Sequence, residues 1–221
     1  MEKSMKVRDF FNLDKTAADK LLLFSEYPWD AIDMLSEYIA RVGRGLLGLG
    51  FNEIKRGVWV SDSARISDSA ILTSPLIIDS GAQISDHSIV RSSIIGKETV
   101  VGSFCEVFDS ILFDRSSLSQ HNYVSDSIIG YRARFGAGAI VSSRSADSAR
   151  ISCLFGDELI SCNRRRFGVV VGDDAEVGCS SVLTAGCIVE RGACVRPLTR
   201  VRGFISASGS YSGEKIRSAM L

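Results

Sequence analysis

A period of six governs most of this chain. Val60, Ile66, Leu72, Ile78, Ile84 and Val90 follow one another at six-residue intervals. The pattern slips by one residue around Gly96 and resumes at Val101 and Val107. It is ragged to Leu118, then clear at Ile129, Phe135 and Val141. After a break it returns as Val171, Val177, Leu183, Val189, Val195 and Val201. An α-helix repeats near 3.6 residues and would not hold an apolar residue at every sixth place alone, whereas a fixed short period marks a β-solenoid. Two residues before many of these aliphatics stands a small residue: Ala64, Ala70, Ala82, Cys105, Ala175, Cys187 or Ala193. Large and small side chains in alternation suit a narrow three-sided tube, with Gly, Ser and Asp left for the turns. The pattern predicts a mainly β fold, a parallel β-helix whose rungs stack about 4.8 Å apart. Its open ends require caps.

Ahead of the repeat, residues 14–24 and 28–40 read as amphipathic helices, with Pro28 at a first-turn position and Leu22, Leu23, Ile32, Leu35 and Ile39 on the apolar faces. They are expected to cap the solenoid or to meet another subunit. Gly43, Gly45, Gly48 and Gly50 are expected to link them to the first coil. This divides the chain into a helical segment and linker (1–52), a β-helix domain (53–204) and a tail (205–221). The break in the period, 142–170, reads as an insertion. Within it, Arg150 to Leu154 and Glu158 to Cys162 flank Gly156-Asp157 as a hairpin would, and a basic run, Asn163 to Arg166, follows. Insertions in repeat proteins tend to lie on one face and carry binding groups.

Charge narrows the partners. Twenty-six basic residues balance twenty-six acidic ones, which argues against a general nucleic-acid or anionic-membrane binder. No apolar run approaches the ~20 residues that span a bilayer, and the N-terminus lacks a signal-peptide core, so a cytoplasmic location is expected. The six cysteines form no CxxC pair. They are expected as reduced packing residues, and no metal is expected.

Between Val101 and Gly203 the sequence carries an ordered set of motifs. Asn122-Tyr123-Val124-Ser125-Asp126-Ser127-Ile128-Ile129-Gly130 is followed by Phe135-Gly136-Ala137-Gly138, Arg164-Arg165-Arg166-Phe167-Gly168, Val171-Gly172-Asp173 and Val177-Gly178. In this order they resemble the acetyltransferase domain of the bifunctional UDP-N-acetylglucosamine pyrophosphorylase/glucosamine-1-phosphate N-acetyltransferases, and more closely the archaeal-type sugar-1-phosphate nucleotidylyltransferases and their stand-alone relatives. The resemblance implies a left-handed β-helix that assembles as a homotrimer. It also implies an acetyl-CoA-dependent N-acetyltransferase acting on a small sugar, an amino sugar phosphate or a nucleotide-linked amino sugar. The GxGTR loop of the nucleotidyltransferase half is not matched, so that activity is not expected.

Acetyl transfer to an amine calls for a base near neutrality, donors for the oxyanion and cations or N–H groups for phosphate. Carried over onto matching positions, the resemblance places the catalytic group at His121, Gln120 and Tyr123. It places acceptor binding at Asn122 and at Arg164, Arg165 and Arg166 of the basic motif, and acetyl-CoA along Ala137, Gly138, Cys179 and Pro197; Arg134, Arg144 and Arg150 are expected to supply substitute charge for the acceptor. Four positions depart from the family pattern, the first being Arg134, which stands where the family has an asparagine before its GAG motif. Gln120 stands where the family has its histidine, with His121 one place later; Phe108 stands in place of a lysine; and Ser143 stands in place of an asparagine. These departures keep a second reading open: a non-catalytic β-helix that binds a sugar nucleotide or scaffolds another enzyme. The arginine run likewise reads either as a phosphate site or as a solvated hairpin end. With only His87 and His121 present, the three-histidine zinc site of γ-type carbonic anhydrases, which share this architecture, is set aside.

Overall fold

The computed structural model describes residues 5–145, 150–155, 158–207 and 210–212. The chain is a left-handed parallel β-helix with helices and a hairpin packed along one side. Its interior is three stacked columns. Face 1 stacks Val60, Ile78, Ile95, Leu112, Ile129, Val171, Val189 and Ile205. Face 2 stacks Ile66, Ile84, Val101, Leu118, Phe135, Val177, Val195 and Tyr211. Face 3 stacks Leu72, Val90, Val107, Val124, Val141, Leu183 and Val201. Every aliphatic of the six-residue series lies in or against this one core, with the small residues Ala82, Cys105, Ala175, Cys187 and Ala193 beside them.

The slip in the period has a geometric cause. Val60 pairs with Ile78, an eighteen-residue coil, but Ile78 pairs with Ile95 and Ile95 with Leu112, seventeen-residue coils. The missing residue comes from the corner between faces 3 and 1, where Val90 leads to Ile95, Val107 to Leu112 and Val124 to Ile129. There Ser92, Asp109 and Asp126 take left-handed backbone angles, φ 46, 47 and 51°, a conformation that short polar side chains tolerate better than bulky ones. The insertion leaves the solenoid at this same corner, because Ile129 pairs directly with Val171. Its hairpin pairs Ile151–Phe155 antiparallel with Glu158–Arg164. The predicted Gly156-Asp157 turn lies outside the described residues, as do 146–149 and the end of the tail, 213–221.

Face 1 is buried on both sides. Outside its core column stands a second one, Trp59, Ile77, Ile94, Ile111, Ile128, Val170 and Ile188, all at most 3% exposed. An aliphatic side chain brought from water to such a place contributes about 1.5–3 kcal/mol. The cover comes from the N-terminal segment and the hairpin. The helices are α1 (Val7–Phe10), a 3-10 turn (Leu13–Lys15), α2 (Asp19–Leu23) and α3 (Asp30–Leu46). They run alongside the solenoid, correcting the expectation that they cap its end. Phe11 meets Phe113 at 4.8 Å between ring centroids, and Trp29 meets Phe167 at 5.7 Å. The Asp173 carboxylate, fully buried, accepts the Asn12 N–H at 2.7 Å and the Tyr131 N–H at 2.8 Å.

The boundary of α3 is a second correction. Gly43 and Gly45 belong to the helix, not to a linker. A Cβ at Gly43 would fall 2.1 Å from the Trp59 ring, so glycine is what lets the helix approach face 1. Only Gly48 and Gly50, both with φ near +81°, act as turn residues before the strand Phe51–Lys55.

Candidate functional site

The expected site residues fall on two edges of face 3. The first edge is the corner between faces 2 and 3. Its rungs are tied by backbone bonds: the Gly138 N–H donates to the Gln120 carbonyl at 3.0 Å, the Ser180 N–H to Ala137 at 2.8 Å, and the Leu198 N–H to Cys179 at 2.9 Å. Gln120, Ala137, Cys179 and Pro197 therefore form one ladder, with Gly138 beside it. The rungs are tight: a Cβ on Gly136 would sit 2.6 Å from the Cys179 nitrogen, and one on Gly178 2.3 Å from the Pro197 nitrogen. Cys179 and Pro197 face solvent.

His121 occupies the left-handed position of this corner, φ 59°. Its ring is exposed and stacks on Phe104 at 5.1 Å and 9°, and Phe104 in turn stacks on His87 at 5.0 Å. The histidine thus lies on the outer ridge of the corner, next to the Gln120 ladder and not inside the tube.

Asn122 turns inward. It is 1% exposed, and its amide donates to the carbonyls of Ser119, Gln120 and Gly136 at 3.0–3.1 Å. It holds two rungs of the corner together. Tyr123, next along, is half-buried on the outer surface of face 3, edge-on to Phe108 at 5.9 Å. The Arg91 guanidinium lies 4.4 Å from the centroid of the Phe108 ring.

The second edge is the corner between faces 3 and 1, where the insertion begins. His121 and Asp126 are separated by five residues of extended chain, about 17 Å. Here Asp126, 7% exposed, accepts from Arg166 Nη2 at 3.1 Å and from Ser125 Oγ at 2.5 Å. One rung away, the Asp109 carboxyl is pushed above the usual carboxylate range by burial and then by the charge of Asp126, against the pull of Arg91 and Arg166.

The arginines separate into three groups. Arg134 lies on the outer side of face 2, paired with Glu176 at 3.2 Å, away from the insertion. Arg164 is a strut, 14% exposed in its side chain: it donates to the Trp29 carbonyl at 2.8 Å and pairs with Asp33 at 2.8 Å, tying the hairpin to the N-terminal helices. The guanidiniums of these two already have carboxylate partners. Arg144 and Arg150 meet in a cleft of about 470 Å³ between the hairpin and the solenoid, and Arg144 also joins Arg165 and Arg166 around an adjoining cavity of about 320 Å³.

The cleft contains two arginines that the motif comparison did not reach, Arg200 and Arg202. They flank the core residue Val201, so strand alternation alone places both on the outer surface of face 3. Their meeting with Arg144 and Arg150 is not visible in sequence, because those residues lie some fifty positions earlier. Among the described residues, no group of three or more His, Cys, Asp or Glu side chains is arranged to hold a metal ion, and no helix is long and apolar enough to cross a membrane.

Comparison with known proteins places this architecture among relatives. The GMPPB C-terminal domain family model matches residues 72–163. The Bifunctional protein GlmU of Acetivibrio thermocellus is 28% identical over 127 residues, 57% of this chain and 27% of that protein. The Bifunctional sugar-1-phosphate nucleotidylyltransferase/acetyltransferase of Sulfurisphaera tokodaii is 27% identical over 145 residues, 65% of this chain and 36% of its own length. The chain thus spans about a third or less of these curated relatives. Among solved structures, PerB from Caulobacter crescentus in complex with CoA and GDP-perosamine is 19% identical, with 69% of this chain and 50% of that one covered and a TM-score of 0.35. The chain is a hexapeptide-repeat β-helix protein whose relatives are GlmU proteins and sugar-1-phosphate nucleotidylyltransferase/acetyltransferases.

Proposed function

We propose that this protein transfers the acetyl group of acetyl-CoA to the amino group of a phosphorylated or nucleotide-linked sugar, with the reacting groups held between copies of a homotrimer. One observation carries the reading. The residues expected to contact acetyl-CoA (Ala137, Gly138, Cys179 and Pro197) and the acyl-transfer candidates (Gln120 and His121) lie along one corner, half-buried at Ala137 and Gly138 and exposed at the other four. The basic residues that would hold the acceptor's phosphate lie across face 3, on its opposite edge. A single chain keeps the two edges about 17 Å apart, so a second copy set against face 3 is what would bring them together. Ile71, Ile140 and Val182 on the outer side of face 3 are exposed, 55, 45 and 41%, and supply an apolar surface for that contact.

In the reaction, the neutral amine attacks the thioester carbonyl, the C–S bond breaks as the tetrahedral intermediate collapses, and the amine proton passes to a base while the CoA thiolate is protonated. His121 is the candidate base: exposed on the ridge, it needs only to reach the amine across the seam. Tyr123 on face 3 would position the sugar.

The experiment is to incubate the protein with acetyl-CoA and glucosamine 1-phosphate, then with nucleotide-linked amino sugars, and to follow thiol release. Turnover that falls at least 100-fold in His121→Ala supports the enzyme with that base. Light scattering that gives the mass of a single chain would remove the intersubunit site. A second reading, a binding protein without catalysis, is favoured by Phe108, whose ring is packed between Arg91 and Tyr123 at the family's lysine position. Absence of turnover with every acceptor, alongside retained CoA binding, supports it.

A further inference from the structure

The charge distribution around the hairpin cleft points to its occupant. The chain as a whole is neutral, and among the described residues seven arginines sit beside a carboxylate: Arg91 with Asp109, Arg115 with Glu98, Arg132 with Asp174, Arg134 with Glu176, Arg164 with Asp33, Arg166 with Asp126 and Arg191 with Asp173. Arg144, Arg150, Arg200 and Arg202 are not among these, and they come together in space. Four guanidiniums from separate segments line one cleft, and among the described residues no carboxylate lines it and no ion pair engages any of the four. Like charges gathered in this way repel, and an anion relieves the repulsion.

The shape of the site narrows the anion. One guanidinium fork takes two oxygens of a phosphate, so four forks exceed what a single phosphate monoester with three free oxygens accepts in bidentate fashion. Leu154 and Leu159 of the hairpin also line the cleft and are apolar and exposed, 42 and 69%, and the cleft, about 470 Å³, has the size of a cofactor-scale pocket. We infer that the cleft formed by Arg144, Arg150, Arg200 and Arg202 against Leu154 and Leu159 binds a nucleoside diphosphate group, with the diphosphate on the arginines and the base against the leucines. This deepens the acetyltransferase reading and rests on it for the source of that group. A nucleotide-linked sugar and the 3′-phospho-ADP half of CoA both carry the chemistry.

Isothermal titration calorimetry on the full chain tests it, with inorganic phosphate, pyrophosphate, UDP and ADP as probes. The nucleoside diphosphates are expected to bind at least tenfold tighter than phosphate, with affinity that falls as salt rises. Arg202→Glu and Arg200→Glu, both at exposed positions, are expected to weaken that binding at least tenfold without shifting the thermal midpoint. Arg115→Glu, on the far corner, is the control and should change nothing. Equal binding of phosphate and the diphosphates, or diphosphate binding untouched by Arg202→Glu, would overturn the inference. Two further arms identify the source. UDP-N-acetylglucosamine binding that is lost in Arg202→Glu assigns the cleft to the sugar nucleotide. CoA binding that drops with the same variant, and drops again for dephospho-CoA, assigns it to CoA. Arginine-dependent diphosphate binding without any acetyl transfer upholds the cleft and removes the enzymatic reading. Acetyl transfer at normal KM in Arg202→Glu does the reverse.

Discussion

Replacing Gly43 by alanine tests whether α3 lies against face 1. On an exposed helix the change would stabilise by about 0.8–1.0 kcal/mol, because alanine is the better helix former. Here the new Cβ would fall 2.1–2.6 Å from three carbons of the Trp59 ring. That ring is 3% exposed and packed among the outer column of face 1, so it has little room to swing away. Overpacking of this kind costs about 1–3 kcal/mol, and contact with a rigid ring belongs at the upper end. The net expectation is a loss of about 1–2 kcal/mol, from the two effects combined. Gly45 supplies the control, since a Cβ there meets nothing within 4 Å. Gly45→Ala should gain up to about 1 kcal/mol. In a chain of this size the two variants should therefore melt roughly 5–10 °C apart, on opposite sides of the unmodified protein. Thermal and urea denaturation followed by circular dichroism, in one buffer, measure both. If Gly43→Ala stabilises as much as Gly45→Ala, the helix does not rest on Trp59, and the account of a doubly buried face 1 fails.

Three other outcomes follow from the same packing. Asn122→Ala removes three hydrogen bonds from a buried corner and should cost about 1–3 kcal/mol in urea denaturation; no loss would refute its role in holding the two rungs together. Asp109→Asn should raise the unfolding midpoint at pH 7. Burial and Asp126 hold the Asp109 carboxyl above its ordinary value, so its ionised form costs stability above that raised pKa, and the cost disappears as pH falls below the unfolded-state value. The gain from asparagine should shrink across that acidic window, and a gain that grows instead would refute the assignment. Cys179 and Cys194, the first exposed and the second half-buried, should react with a thiol reagent in the native protein. Cys105, Cys153, Cys162 and Cys187 should react only on unfolding, since all four are buried; desolvation raises the thiols of Cys105 and Cys187, and the hydrogen bond with Cys162, then desolvation, raises that of Cys153.

The interior of the solenoid was legible in sequence because it is built from local repetition. A residue enters the core by its place in the six-step, and neighbours above and below it are set by coil length. The doubled apolar pairs Ile77-Ile78, Ile94-Ile95, Ile111-Leu112, Ile128-Ile129, Val170-Val171 and Ile188-Val189 also carried a signal that face 1 is covered. A strand buried on both sides shows continuous apolar runs in place of alternation. The position of the helices carries no comparable signal: an amphipathic face declares that it needs a partner, not where the partner is.

The candidate site divides along the same line. The six-residue period by itself determined the tube, its three faces, the inward columns and the point at which the insertion leaves. Only the tertiary structure decided that Arg164 is a strut, that Arg134 belongs to another face, that Asn122 turns inward, and that Arg200 and Arg202 join Arg144 and Arg150. The physical reason is that the pattern records the environment each residue needs, apolar or solvated, whereas contacts between a hairpin and a coil fifty residues away depend on how the solenoid winds and where its corners turn.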